Sequence, residues 1–125
     1  MNPGKFSVKS RSESFRFAFE GLVSLLKTEH NARIHLVAAA AAVTAGIILK
    51  VDLLEWCMLV LVIGLVFLTE LINTAIETIA DAVDSDWNEK IKKAKDLSAA
   101  AVLTAAIISA ITGGIIFLPK LISLF

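Results

Sequence analysis

From Leu97 to Leu118 the chain runs without a single charged side chain, and a helix of about 20 mostly apolar residues is what crosses a hydrocarbon layer of about 30 Å. Two further stretches behave alike. Ile34 to Leu49 carries only His35 as an ionisable group, and adding Asn31 and Ala32 upstream brings it to spanning length, with Arg33 snorkelling at the membrane edge. Trp56 to Thr69 is uncharged, and past Glu70 the apolar pattern continues through Leu71, Ile72, Ala75, Ile76, Ile79 and Ala80 without Gly or Pro. The expectation is an all-α membrane protein, one domain over residues 1–125, with spans at about 31–50, 53–82 and 95–118. Pro119 is expected to end the third span, after Gly113 and Gly114 weaken its last turns.

Composition agrees: 57% of the 125 residues are hydrophobic and 19% charged, a balance too apolar for an ordinary soluble domain. Twelve Lys and Arg offset twelve Asp and Glu, so the chain has no basic field to attract DNA or RNA, and nucleic acid is not an expected partner. Cys57 stands alone, which excludes an intrachain disulfide.

Ahead of the first span, Met1 to Thr28 has scattered charges and lacks the continuous apolar region of a cleavable signal. Phe15, Phe19, Leu22 and Leu26 recur at helical steps, with Arg11, Arg16, Glu20 and Lys27 around them. The pattern predicts an amphipathic helix over about 10–28, lying on the membrane surface. Lys5, Lys9, Arg11, Arg16, Lys27 and Arg33 precede the first span, and Lys90, Lys92, Lys93 and Lys95 precede the third. Only Lys50, beside Asp52 and Glu55, and Lys120 occupy the opposite ends. The positive-inside rule therefore predicts an inside N-terminus and an outside C-terminus.

An ionisable residue within a span costs about 2.5–3.5 kcal/mol on insertion scales, which makes it a functional candidate by default. Glu70, Asn73, Glu77 and Asp81 fall within an arc of about 80° at 100° per residue, forming one polar stripe on the inner half of the second span. The plainer reading leaves Glu77 and Asp81 among the headgroups and only Glu70 to explain. Glu29 lies on the same side, where the surface helix meets the first span. Two carboxylates such as Glu29 and Glu77 suit a partly hydrated Mg²⁺ beside phosphate oxygens, while an i,i+4 pair of Glu29 with Arg33 is the competing reading.

Lys90 to Asp96 opens the third span with a basic cluster, which positive-inside anchoring accounts for in large part. Lys95 and Asp96 sit where an ammonium could hold phosphate charge and a carboxylate could orient it. The soluble nucleotide-binding motifs are absent: no GxxxxGK[ST] loop, no GxGxxG turn, no HRD or DFG triplet. His30 and His35, five apart, do not share a helical face as metal ligands and read as interfacial or structural. Ser98, Ala101, Ala105, Ser109 and Thr112 read as a small-residue face for close helix packing.

The run Glu70-Leu71-Ile72-Asn73-Thr74-Ala75-Ile76-Glu77-Thr78-Ile79-Ala80-Asp81 resembles the signature E-x-x-N-[ST]-A-[IL]-E-x-x-[VI]-D of the prokaryotic diacylglycerol kinase and undecaprenol kinase family, small integral-membrane lipid kinases. Only Ala80 departs from it. Glu29 with Arg33, the Ala94-Lys95-Asp96 helix entry, and three spans after an amphipathic helix extend the similarity over nearly the whole chain. The segment from Glu29 to His35 is more similar to the undecaprenol branch.

The resemblance implies ATP-dependent phosphorylation of a membrane lipid alcohol, undecaprenol first and diacylglycerol second, by a homotrimer with shared active sites in a bacterial cytoplasmic membrane. It assigns Glu70 as catalytic base on the lipid hydroxyl and Asn73 as the positioning amide. Glu29 and Glu77 become ligands of Mg²⁺ on the ATP phosphates. Arg11, Phe17, Asp86, Trp87, Asn88, Lys95 and Asp96 fall on the nucleotide side, and Asn31 and Arg33 on the lipid side. A small transporter using Glu70 and Glu77 as a cation or proton relay is the rival from another class.

Overall fold

A computed structural model describes residues 6–83 and 86–125, and every described element is an α-helix. Their order is α1 (Val8–Thr28), α2 (His30–Ile48), α3 (Leu53–Val83) and α4 (Glu89–Ile122). The last three are long and apolar enough to cross a membrane. Lys5, counted above for orientation, lies outside the described residues.

Ser7 caps α1, its hydroxyl accepting from the Ser10 N–H at 3.3 Å. The helix stops at Glu29, whose extended backbone (φ −102°, ψ 112°) makes it both the last cap of α1 and the first of α2. One residue thus turns the chain, and Arg33 holds the turn. Its Nε donates to the Leu26 carbonyl at 2.9 Å and its second terminal nitrogen to the Lys27 carbonyl at 2.8 Å. These acceptors are left open at a helix C-terminus, where a cation is favoured. The Arg33 guanidinium is therefore spent on α1, where the sequence suggested a lipid-edge anchor or a partner for Glu29.

At the opposite end, α2 finishes in a Schellman turn: Lys50 takes φ 54° and the Val51 N–H reaches back to the Gly46 carbonyl at 3.1 Å. A capping box follows at once. Asp52 accepts from the Glu55 N–H at 2.8 Å, and the Glu55 carboxylate accepts from the Asp52 N–H at 3.2 Å. The same Glu55 takes the Lys120 ammonium at 2.9 Å, which ties the far end of α4 to the start of α3. Beneath this polar lock Val51, Leu59 and Ile116 form a buried cluster with Trp56 and Phe117 against it. A Cβ on Gly46 would stand 2.7 Å from the Trp56 ring, so close approach of α2 to α3 depends on glycine there.

From that lock α3 and α4 pack antiparallel along their lengths. Ser98 and Ala105 are buried, and the Ser109 hydroxyl donates to the Val62 carbonyl at 3.2 Å, as expected of a small-residue face. The 31 residues of α3 and 34 of α4 give rods of about 46 and 51 Å, longer than the hydrocarbon layer, so one end of each projects beyond it. Val60, Leu61, Leu68 and Ile72 on α3 are each more than half exposed, a surface that only lipid or neighbouring helices can cover.

Two boundaries differ from expectation. Helix α4 begins at Glu89, because Asn88 accepts from the N–H groups of Lys90 and Ile91 at 2.9 and 3.4 Å, and the basic cluster occupies its first turns. Pro119 does not end α4, which continues to Ile122. A proline forfeits one bond to the preceding turn, and here the ladder resumes as the Ser123 N–H donates to the Pro119 carbonyl at 3.1 Å.

Candidate active site

The polar stripe expected on α3 forms, and it faces its neighbours. Glu70 is the most buried charged group described, its side chain 3% exposed. The imidazole Nε2 of His35, on α2, stands 3.3 Å from its Oε1, yet without hydrogen-bond geometry, so Oε1 has no hydrogen-bond partner among the described residues. One turn further on, the buried Thr74 hydroxyl is likewise without a partner. Unsatisfied buried acceptors and donors are costly, and such places in a native fold ask for a ligand or a water.

Asn73 and Glu77 continue the stripe toward the C-terminal end of α3. The Ser98 hydroxyl, from α4, donates to Asn73 Oδ1 at 2.7 Å, and Asn73 Nδ2 donates to Glu77 Oε1 at 3.5 Å. The Ser98 hydroxyl has one proton and two acceptors in reach, Asn73 Oδ1 and the Lys95 carbonyl at 3.0 Å; given to Asn73, it leaves the amide NH₂ turned toward Glu77. Glu29, at the α1–α2 turn, and Glu77, two turns along α3, are the like charges whose field reaches the Glu70 carboxylate.

Where α3 ends and α4 begins, Lys95 pairs with Asp81 across the two helices, and Lys92 pairs with Asp96 one turn along α4. A cavity of 460 Å³ opens there, lined by Asp81, Asp86, Trp87, Asn88, Ile91, Lys92 and Lys95. Its charged lining is balanced, two lysines against two aspartates, beside the exposed indole of Trp87.

Not every expected residue is gathered here. Arg11 and Phe17 lie 18 and 12 positions before Glu29 on α1, about 27 and 18 Å along a straight helix. Arg11 covers the Phe6 ring, while Phe17 is covered by Arg16, with cation-to-centroid distances of 5.5 and 5.0 Å. Asn31 is exposed beside the α1–α2 turn. Conversely, His35 belongs to the site although the sequence offered it only as an interfacial or structural residue. Ser98, assigned to packing alone, and Asp81, given no role beyond the polar stripe, are also part of the arrangement. Contacts between different helices carry no sequence spacing from which to read them.

Among the described residues no three His, Cys, Asp or Glu side chains are grouped so as to hold a metal ion by themselves, and the Glu29 carboxylate makes no capping hydrogen bond to α2. Two carboxylates with open positions are what Mg²⁺ accepts when phosphate and water complete its shell.

Three helices long and apolar enough to cross a membrane, with the carboxylates of α3 leading to a cavity of paired lysines and aspartates and an exposed indole, describe a small integral-membrane protein. The chain belongs to the prokaryotic diacylglycerol kinase family, a family of lipid kinases whose model matches residues 16–117. It is similar to the undecaprenol kinase of Bacillus subtilis, 40% identical over 109 residues, covering 87% of this chain and 89% of that protein. A diacylglycerol kinase of Synechocystis is 41% identical over 112 residues, 89% of this chain but 64% of the relative's length. That of Escherichia coli K12 is 34% identical over 96 residues, 77% and 79% of the two chains. The family expected from the stripe and the helix entry is thereby the family found, and a cation or proton relay is no longer needed to explain the intramembrane carboxylates.

Proposed function

We propose that the protein transfers the terminal phosphoryl group of ATP to the hydroxyl of a membrane lipid alcohol, undecaprenol in the first place and diacylglycerol in the second. The observation that carries this reading is the Glu70 carboxylate, buried between helices with one oxygen lacking a hydrogen bond among the described residues. In the reaction the lipid oxygen bonds to phosphorus, the bond to the ADP oxygen breaks, and the hydroxyl proton passes to Glu70. Asn73, oriented by Ser98, positions the reacting groups beside Glu77. Glu29 and Glu77 would hold Mg²⁺, which when bound neutralises charge on the phosphate oxygens. Lys95 and Asp96, with Asp86, Trp87 and Asn88, serve the nucleotide. Asn31 and Arg33 border the lipid, Arg33 by keeping the α1–α2 turn in place.

Preference for undecaprenol rests on the Bacillus subtilis relative, matched over most of its length, and on the segment from Glu29 to His35. The basic residues of α1 and of the first turns of α4 favour an inside N-terminus in a bacterial cytoplasmic membrane. The aromatic face of α1, with Phe15 and Phe19 more than two-thirds exposed, supports its lying at the membrane surface. A homotrimer accounts for the reach of α1: about 27 Å from Glu29, an Arg11 engaged at the nucleotide would serve a neighbour's site. Assay of pure protein with ATP and a panel of lipid alcohols tests the reading, and a protein inert toward all of them contradicts it.

A further inference from the structure

An apolar groove of 290 Å³ opens between α2, α3 and α4, walled by Ala39, Ala42, Val66, Ala106 and Gly113. Small residues on two of its three sides keep side chains from filling it. His35 also lines this groove and supplies its one ionisable group. It stands at the end where α3 passes from Val66 to Glu70, so the same imidazole borders the apolar groove and the buried carboxylate.

The position of His35 is fixed by packing on either side. Ala32, one turn earlier on α2, is completely buried, and Ala39, one turn later, is half-buried in the groove wall. That face of α2 is turned into the bundle. Glu70 reaches its own site through a flexible stem, and apart from His35 the charged groups near it, Glu29 and Glu77, are of like sign. No backbone or side-chain donor completes a hydrogen bond to its Oε1 among the described residues. His35 Nε2 stands 3.3 Å from Oε1, within hydrogen-bond distance though not in hydrogen-bond alignment.

We propose that His35 is a positioning residue for Glu70: an N–H at Nε2 holds Oε1 and leaves the other carboxylate oxygen to receive the proton of a lipid hydroxyl presented at the groove's inner end. No bond at His35 is made or broken in the transfer, and the proton resides on Glu70. The inference rests on the reading of Glu70 as the base and adds what aims it.

The test compares His35→Gln, whose amide can place an N–H near the position of Nε2, with His35→Leu, which fills similar space without one. Purified proteins are assayed with ATP and undecaprenol, and thermal stability and assembly size are followed in parallel. The expected result is a kcat lowered up to about 100-fold in His35→Leu with the KM for ATP little changed, and recovery of most of that loss in His35→Gln. Equal losses in both variants, or losses that track thermal stability, show a packing role and overturn the proposal. So does undiminished kcat in His35→Leu. A wild-type protein inert toward lipid alcohols fails differently, since it removes the lipid-kinase reading on which the inference stands.

Discussion

The Ser98 hydroxyl donates to the side-chain carbonyl of Asn73 at 2.7 Å, and by doing so leaves the Asn73 amide nitrogen facing Glu77. With its proton given to Asn73 rather than to the Lys95 carbonyl 3.0 Å away, a residue on α4 controls the polarity of one on α3. Ser98→Ala should release that control while leaving the fold intact, because alanine is accepted on a small-residue helix face. Loss of one hydrogen bond worth about 0.5–1.5 kcal/mol predicts a kcat roughly 2- to 10-fold lower. Unaltered turnover in Ser98→Ala would show that Asn73 keeps its orientation without help.

Magnesium dependence separates the carboxylates. Glu29→Ala and Glu77→Ala should each raise the Mg²⁺ concentration needed for half-maximal activity, since both are assigned to one ion. Titration curves of both variants superimposing on wild type would reject the shared ion.

Subunit mixing addresses the reach of α1. An Arg11→Ala protein of low activity and an inactive Glu70→Gln protein, exchanged in detergent, should together regain activity above the sum of the two. Hybrid assemblies then contain sites with Glu70 from one chain and Arg11 from another. No gain after exchange has been verified would place Arg11 and Glu70 of a single chain in the same site, or leave Arg11 without a role.

Stability should respond sharply at the other end of the molecule. Gly46→Ala puts a methyl group within 2.7 Å of the Trp56 ring, and overpacking of this kind costs about 1–3 kcal/mol. The variant should melt earlier. Equal stability to wild type would mean that the contact of α2 with α3 relaxes without cost.

How much of this was legible beforehand follows from which contacts are local. The spans were readable because hydropathy is a property of consecutive residues, and Glu70, Asn73 and Glu77 could be put on one face because a helix fixes their angles. His35 meeting Glu70, and Ser98 meeting Asn73, depend on how far one helix slides along another, which no spacing records. The bonds of Arg33 to the Leu26 and Lys27 carbonyls were hidden for a related reason, since they depend on how the chain turns at Glu29. At Pro119 the rule that proline ends a helix gave way because, so close to the C-terminus, only one ladder bond was at stake. The start of α4 was within reach of sequence reasoning, since Asn88 followed by Glu89 is an ordinary helix opening, though the lysines after it drew attention to charge.

The central claim is that Glu70 takes a proton from a lipid hydroxyl during phosphoryl transfer from ATP. Its most direct measurement is the transfer of labelled phosphate from ATP to undecaprenol by purified wild-type and Glu70→Gln proteins, with nucleotide binding followed in both. The account predicts labelled undecaprenyl phosphate from wild type, turnover reduced at least about 100-fold in Glu70→Gln, and nucleotide affinity largely preserved, because the substitution removes a proton acceptor and keeps its shape. Turnover in Glu70→Gln within a few-fold of wild type would contradict it.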